Sequence, residues 1–256
     1  MVNELLYKLS NGFTILPIYL GVNITNVCNR SCNFCPYHSK HILPSEHDKW
    51  FKQQPKMLNF KSFMEIIKRP IARRMIKTVA LTGKGEPFLN KDLFKYCELL
   101  EQYKIPFTIT TNGDYLTGEI LKYLSLFSCL KEISISIYET DNPWLKVYHD
   151  KIGFSNMTGK ELPFMEKIET APVNGTENYC SLPKDFNTIK SCKKPFTWIT
   201  INTDGTIVPC WSFNTTANIK DSWLKIWNGK KVRKYRRDAL KMKAKQSDCK
   251  NCAAHE

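Results

Sequence analysis

The chain has 256 residues, enough for one large core or for one core with a small appendage, and its 42% hydrophobic and 24% charged residues are an ordinary globular balance. A formal net charge of +14 favours polyanions, phosphorylated substrates or acidic protein partners and says nothing about fold. No run of about 18 apolar residues and no N-terminal apolar segment with a small-residue cleavage site occurs, so neither a membrane span nor secretion is expected; the tight clustering among the ten cysteines then points to metal binding in a cytoplasmic protein rather than to disulfides.

In chain order, Phe13 to Thr25 is the first strand candidate, with Pro17 confining its first part to an edge or a separate short strand. It runs into a loop holding Cys28, Cys32 and Cys35. The polar stretch from Tyr37 to Leu58 reads as loop or partial helix and carries His38, His41 and His47. Asn59 to Lys68 has the period and cap of an amphipathic helix that Pro70 ends or kinks. Thr78 to Thr82 is a short strand entering Gly83-Lys84-Gly85-Glu86-Pro87, and a helix over Lys91 to Tyr103 follows. Phe107 to Thr111 is a strand ending at the Asn112-Gly113 turn, Thr117 to Leu126 is a helix, and Lys131 to Tyr138 alternates as a strand. Strand and helix therefore alternate, which predicts parallel β/α units, four of them clear. From 139 to 190 the rhythm fails, so the barrel is expected to be incomplete, with one side covered by a C-terminal segment.

That segment is expected to open with a hairpin, Phe196 to Asn202 and Thr206 to Cys210 around Asp204-Gly205. A short helix over Asp221 to Trp227, broken at Gly229, and a basic helix over Lys230 to Lys245 follow. The domain boundary is placed between residues 1–190 and 191–256.

Two cysteine sets carry the chemistry. Cys28, Cys32 and Cys35 sit at C-x3-C-x2-C spacing directly after a strand. A cubane iron–sulfur cluster normally takes four thiolates, so three with no fourth nearby suggest an iron left open for a substrate or cofactor; zinc more often takes its cysteines in spaced pairs. The second set, Cys192, Cys210, Cys249 and Cys252, joins a hairpin to a terminal C-x2-C pair. By ligand count alone it closes either a tetrahedral zinc site or a fully ligated cubane.

The first spacing, with Tyr37 two positions after the last cysteine, resembles the radical S-adenosylmethionine (SAM) enzymes. The second set, with the Asp204-Gly205 hairpin and Ile226-Trp227-Asn228 between its members, resembles the twitch domain, the shortened form of the SPASM auxiliary-cluster domain. In length and layout the chain looks most like the butirosin-type 2-deoxy-scyllo-inosamine dehydrogenases within that family. The resemblance implies a partial TIM-like (β/α) barrel with a small twitch domain, SAM and two [4Fe-4S] clusters. Cys28, Cys32 and Cys35 would hold the SAM cluster, and Cys192, Cys210, Cys249 and Cys252 the auxiliary one. Tyr37 would lie by the adenine, Gly85 and Glu86 would receive the SAM amino group, and Asn112 and Ser136 would touch its ribose or carboxylate. Lys84 stands where the family usually has glycine.

The implied reaction is oxidation of a carbinol carbon of a sugar or aminocyclitol to a ketone, with the auxiliary cluster taking the electron. The base is left open among His38, His41, Glu139, His149 and auxiliary-domain side chains. An epimerase would need a thiol hydrogen donor, for which Cys180 is the candidate, Cys97 and Cys129 reading as structural. A peptide maturase is a third reading. The basic C-terminal helix reads as a solvated face, a dock for an acidic flavodoxin or ferredoxin, or a nucleic-acid binder, in that order.

Overall fold

The computed structural model describes residues 11–15, 18–32, 35, 37–38, 52–137, 164–168, 194–209 and 215–240. Its centre is an eight-stranded sheet. Strand β1 (Ile18–Asn23) enters the cysteine loop, after which the chain returns through α1 (Phe60–Ile67) and α2 (Pro70–Met75) to β2 (Ile76–Thr82). Helix α3 (Leu93–Gln102), β3 (Phe107–Thr111), α4 (Gly118–Leu124) and β4 (Leu130–Ile137) follow, and then β5 (Phe164–Ile168). The C-terminal part contributes β6 (Trp198–Ile201), β7 (Thr206–Val208), β8 (Ala217–Asn218), α5 (Trp223–Asn228) and α6 (Lys230–Leu240).

The strand order is β5-β4-β3-β2-β1-β6-β7-β8, parallel from β5 through β6 and antiparallel beyond it. Three differences from the expected elements follow. Strand β1 is shorter than Phe13 to Thr25. Pro70 ends one helix and begins another, because its missing N–H costs nothing at the first helical position. Strand β6, expected only in a covering hairpin, pairs in parallel with β1; with β5, found where the rhythm fails, it extends the four clear parallel strands to six.

The two faces of the sheet differ in chemistry. Leu20, Val22, Val79, Leu81, Phe107, Ile109, Ile133, Ile199 and Ile201 share one buried core with Phe63, Ile66, Tyr96, Leu100 and Leu121 of the helices. The register puts the intervening residues on the other face: Tyr19, Gly21 and Asn23, then Thr78, Ala80 and Thr82, then Thr108 and Thr110, then Glu132 and Ser134, with Trp198 and Thr200 on the far side. Parallel strands covered by helices on both faces read as continuous apolar runs. Here one face is threonine- and serine-rich and half-exposed from β2 to β4, as the wall of a polar cavity would be.

The C-terminal part is fastened by Arg236, which is 0% exposed. Its guanidinium lies 4.1 Å from the centroid of the Trp227 ring and donates to Pro195 O, Gly12 O and Asn228 Oδ1. Arg236→Ala strands these acceptors and opens a cavity; it is expected to lower stability by about 3 kcal/mol, read from urea unfolding midpoints against wild type.

Candidate active site

The site is built where the parallel strands end. After β2, Gly83 to Glu86 presses against the start of the cysteine loop. A Cβ on Gly85 would lie 2.2 Å from the Val27 carbonyl oxygen, so this close approach needs glycine. Next to it the Glu86 N–H donates to the same oxygen at 2.8 Å. The Glu86 carboxylate, on a residue only 2% exposed, accepts from Thr111 Oγ1 (2.6 Å), Asn112 N (2.7 Å) and Phe88 N (3.1 Å). An ionised carboxylate offers about four lone-pair sites, so three donors leave room for one more on Oε2. Burial pushes its pKa above the usual carboxylate range, against the pull of those three donors.

Side-chain bonds across long sequence separations hold the cysteine loop. Asn112 Nδ2 donates to Asn29 Oδ1 (2.9 Å) and Asn29 Nδ2 to Asp114 Oδ2 (2.6 Å). Arg30 Nε donates to Asp114 Oδ2 at 2.7 Å, and a second contact to Asp114 Oδ1 makes the pair bidentate. The Arg30 guanidinium and the Asn29 amide hold Asp114 below the usual carboxylate range, against burial. The three loop cysteines are free thiols at intermediate exposure. Burial first, and then the negative charge of their neighbours, pushes Cys28 and Cys32 up; each feels Cys35.

On the other side lies the C-terminal hairpin. Gly205, at φ +78°, makes the turn between β6 and β7. Asn23 Nδ2 donates to Asn202 Oδ1 (2.9 Å) and Asn26 Nδ2 to Thr203 Oγ1 (2.6 Å), so the turn is docked on the end of β1. Between hairpin and cysteine loop sits Lys84, 6% exposed, its ammonium 5.1 Å from the Tyr37 ring centroid. His38 Nε2 lies 2.7 Å from the Lys84 carbonyl; a carbonyl only accepts, so this nitrogen carries a proton.

A family model described as the radical SAM superfamily matches residues 22–182, and one described as the SPASM iron-sulfur cluster-binding domain matches residues 192–253. The chain belongs to the radical SAM superfamily. Its sequence is 33% identical over 131 residues to a GTP 3',8-cyclase of Aliarcobacter butzleri, covering 50% of this chain and 37% of that one. It is likewise 33% identical over 109 residues to a probable GTP 3',8-cyclase of Pyrococcus horikoshii, covering 42% and 31%. The chain thus spans about a third of the length of these curated relatives. In fold it is similar to BtrN in complex with AdoMet and 2-DOIA (TM-score 0.68, 18% identity, 94% of this chain and 96% of that one). SuiB of Streptococcus suis bound to S-adenosylmethionine is similar at TM-score 0.55 and 16% identity, over 98% of this chain and 73% of that one. The fold is therefore the radical SAM α/β fold, a partial barrel-like parallel sheet with a C-terminal SPASM/twitch part.

A radical SAM chain implies a [4Fe-4S] cluster and SAM, and the SPASM match implies an auxiliary iron–sulfur cluster. The described residues fit the first pair. Among them no three His, Cys, Asp or Glu side chains converge as ligands of a single ion. A cubane, however, takes each cysteine on a different iron, and the burial and neighbouring charge that push Cys28 and Cys32 up are relieved by metal. The open lone pair on Glu86, beside a backbone that tolerates no side chain at Gly85, suits a bound ammonium.

Gly85, Glu86 and Asn112 are thus brought together around the cysteine loop. Tyr37 meets them through Lys84, and Ser136 lies on β4 opposite Lys167 of β5. Cys97 and Cys129 are buried. The proposed auxiliary ligands Cys192, Cys210, Cys249 and Cys252, together with Cys180, His41, His47, Glu139 and His149, lie outside the described residues. Sequence reasoning missed Asn29, Arg30 and Asp114, whose pairing across more than eighty positions leaves no local signal.

Asp114→Asn is expected to cost about 1 kcal/mol at pH 7, the half-exposed pair being discounted for solvent. Because the folded Asp114 is the stronger acid, this difference is present above the ordinary aspartate range. It should vanish as pH falls through the lower folded value, which paired urea midpoints at pH 7 and pH 3 will read.

Proposed function

We propose that this radical SAM enzyme oxidises a carbinol carbon of a sugar- or aminocyclitol-like small molecule to a ketone. One observation carries the reading: β6 pairs in parallel with β1. The hairpin leading to the auxiliary cysteines is therefore anchored to the strand that leads into Cys28, Cys32 and Cys35. In this reading that anchoring would hold an electron acceptor beside the site where hydrogen is removed. The likeness to BtrN over nearly the whole of both chains supports the same reading at the level of fold.

In this reading residues 1–190 form the barrel and 191–256 the twitch domain. Cys28, Cys32 and Cys35 hold the SAM cluster, and Cys192, Cys210, Cys249 and Cys252 the auxiliary cluster. SAM and its cluster, when bound, supply the carbon radical that abstracts hydrogen. Glu86 receives the SAM ammonium, Gly85 lets the backbone approach, and Asn112 and Ser136 orient the ribose and carboxylate. The polar sheet face accepts the hydroxyls of substrate. The reductant is an acidic flavodoxin or ferredoxin that the net charge of +14 attracts.

The sequence relatives support a second reading, a GTP 3',8-cyclase-like ring closure on a nucleotide. Anaerobically reconstituted enzyme given carbon-deuterated aminocyclitols or deuterated GTP separates the two. Deuterium in 5′-deoxyadenosine with a ketone product supports oxidation. Label from GTP alone supports cyclisation, and an inverted alcohol indicates epimerisation. Cys28, Cys32 and Cys35 changed together to Ala should abolish SAM cleavage and leave about half of the wild-type iron, held by the auxiliary set.

A further inference from the structure

Oxidising an alcohol removes a hydrogen atom, a proton and an electron. On the reading above, the atom leaves with the SAM-derived carbon radical and the electron leaves to the auxiliary cluster. The proton of the hydroxyl needs an acceptor on the protein, and that acceptor must reach a carbinol lying between the two halves of the site.

We infer that Lys84 is this base. The inference rests on the oxidation proposed above. Its amine takes the hydroxyl proton: the O–H bond breaks, an N–H bond forms, and amine becomes ammonium. Loss of that proton lets the carbonyl close, the auxiliary cluster, when bound, being the group that would take the remaining electron.

The position supports this role. Lys84 sits on the β2 loop one residue before Gly85 and two before Glu86, with its ammonium over the ring of Tyr37 on the cysteine-loop side. On the far side its charge is met by Asp204, at the turn of the C-terminal hairpin. It therefore lies between the proposed SAM contacts and the auxiliary part. Among the described residues, three titratable neighbours already hold partners of their own. Glu86 accepts three hydrogen bonds, Asp114 is paired with Arg30, and His38 uses Nε2 on the Lys84 carbonyl. Asp204 Oδ1 accepts from both Thr206 N and Thr206 Oγ1.

Burial lowers the lysine to about 8 against the pull of Asp204, so roughly a tenth of it is free amine at pH 7. A base works best when its own value lies near the working pH. The end of β1 adds two buried acceptors without a hydrogen-bond partner among the described residues, Oδ1 of Asn23 and Oδ1 of Asn26. Acceptors of that kind suit a substrate rich in hydroxyl or ammonium donors better than a triphosphate.

Two measurements test the assignment. In the first, the cluster-loaded wild-type protein is labelled with an amine-selective reagent across pH and Lys84 is followed by mass spectrometry. A midpoint near 8 is expected, whereas one at 10 or above overturns the proposal. The second uses ring-deuterated 2-deoxy-scyllo-inosamine as probe and compares wild type with Lys84→Arg, which keeps the charge but does not release a proton, and Lys84→Met. Both variants should still move deuterium into 5′-deoxyadenosine while ketone per 5′-deoxyadenosine falls by about a hundredfold, iron content being unchanged. Ketone formation by Lys84→Arg within about threefold of wild type overturns the base alone. No deuterium transfer by wild type overturns the oxidation and the base with it.

Discussion

The Glu86 carboxylate is the constraint on which the site depends. It lies on the loop after β2, yet its acceptors are filled from the end of β3 through Thr111 and Asn112, and its own N–H reaches the loop that leaves β1. Three strand ends are fixed to one another at a single residue. An ionised group this deep costs several kcal/mol to desolvate unless it is hydrogen-bonded, and the three donors offset that cost. A cation at the remaining lone pair would offset it further. On the proposed reading, binding SAM and completing the fold at the strand ends are one electrostatic problem with one solution.

Around that point the sheet divides its work by face. The apolar face packs on α1, α3 and α4 and sets the strands in register. The polar face, with threonines on β2 and β3 and Ser134 on β4, gives hydroxyls to the interior without demanding a second apolar layer. The hairpin joins the same sheet at β6 instead of forming a separate layer. Its turn touches β1 through Asn23, Asn26, Asn202 and Thr203. The proposed oxidation, divided between a SAM-binding loop and an electron-accepting domain, needs such a rigid connection, because electron passage falls steeply with distance.

Much of this was legible in the residues. Cysteine spacing named the chemistry because three thiolates in eight positions have few other uses. The alternation of apolar runs gave β1 to β4 and their helices, and Asp204-Gly205 gave the β6–β7 turn. The partner of β6 was not legible, since a hairpin signal describes local pairing and is silent about which sheet edge receives it. Strand β5 was hidden because Phe164–Ile168 is short, mixes Glu166 and Lys167 with apolar residues, and lies among prolines. Helix α2 was hidden behind Pro70, which reads as a terminator as readily as a first residue. Arg30–Asp114 and Asn29–Asn112 were beyond any local rule, because each depends on two loops that only the finished sheet brings together.

The most direct test of the central role of Glu86 is the affinity of cluster-loaded Glu86→Gln for SAM, measured by equilibrium dialysis against wild type. The amide keeps the shape and leaves the backbone bond to Val27 intact, so iron at the cysteine loop should stay at the wild-type level. The loss of one charge-assisted contact, about 2 kcal/mol, should weaken SAM binding about thirtyfold. An affinity equal to wild type, at equal iron content, would contradict the account.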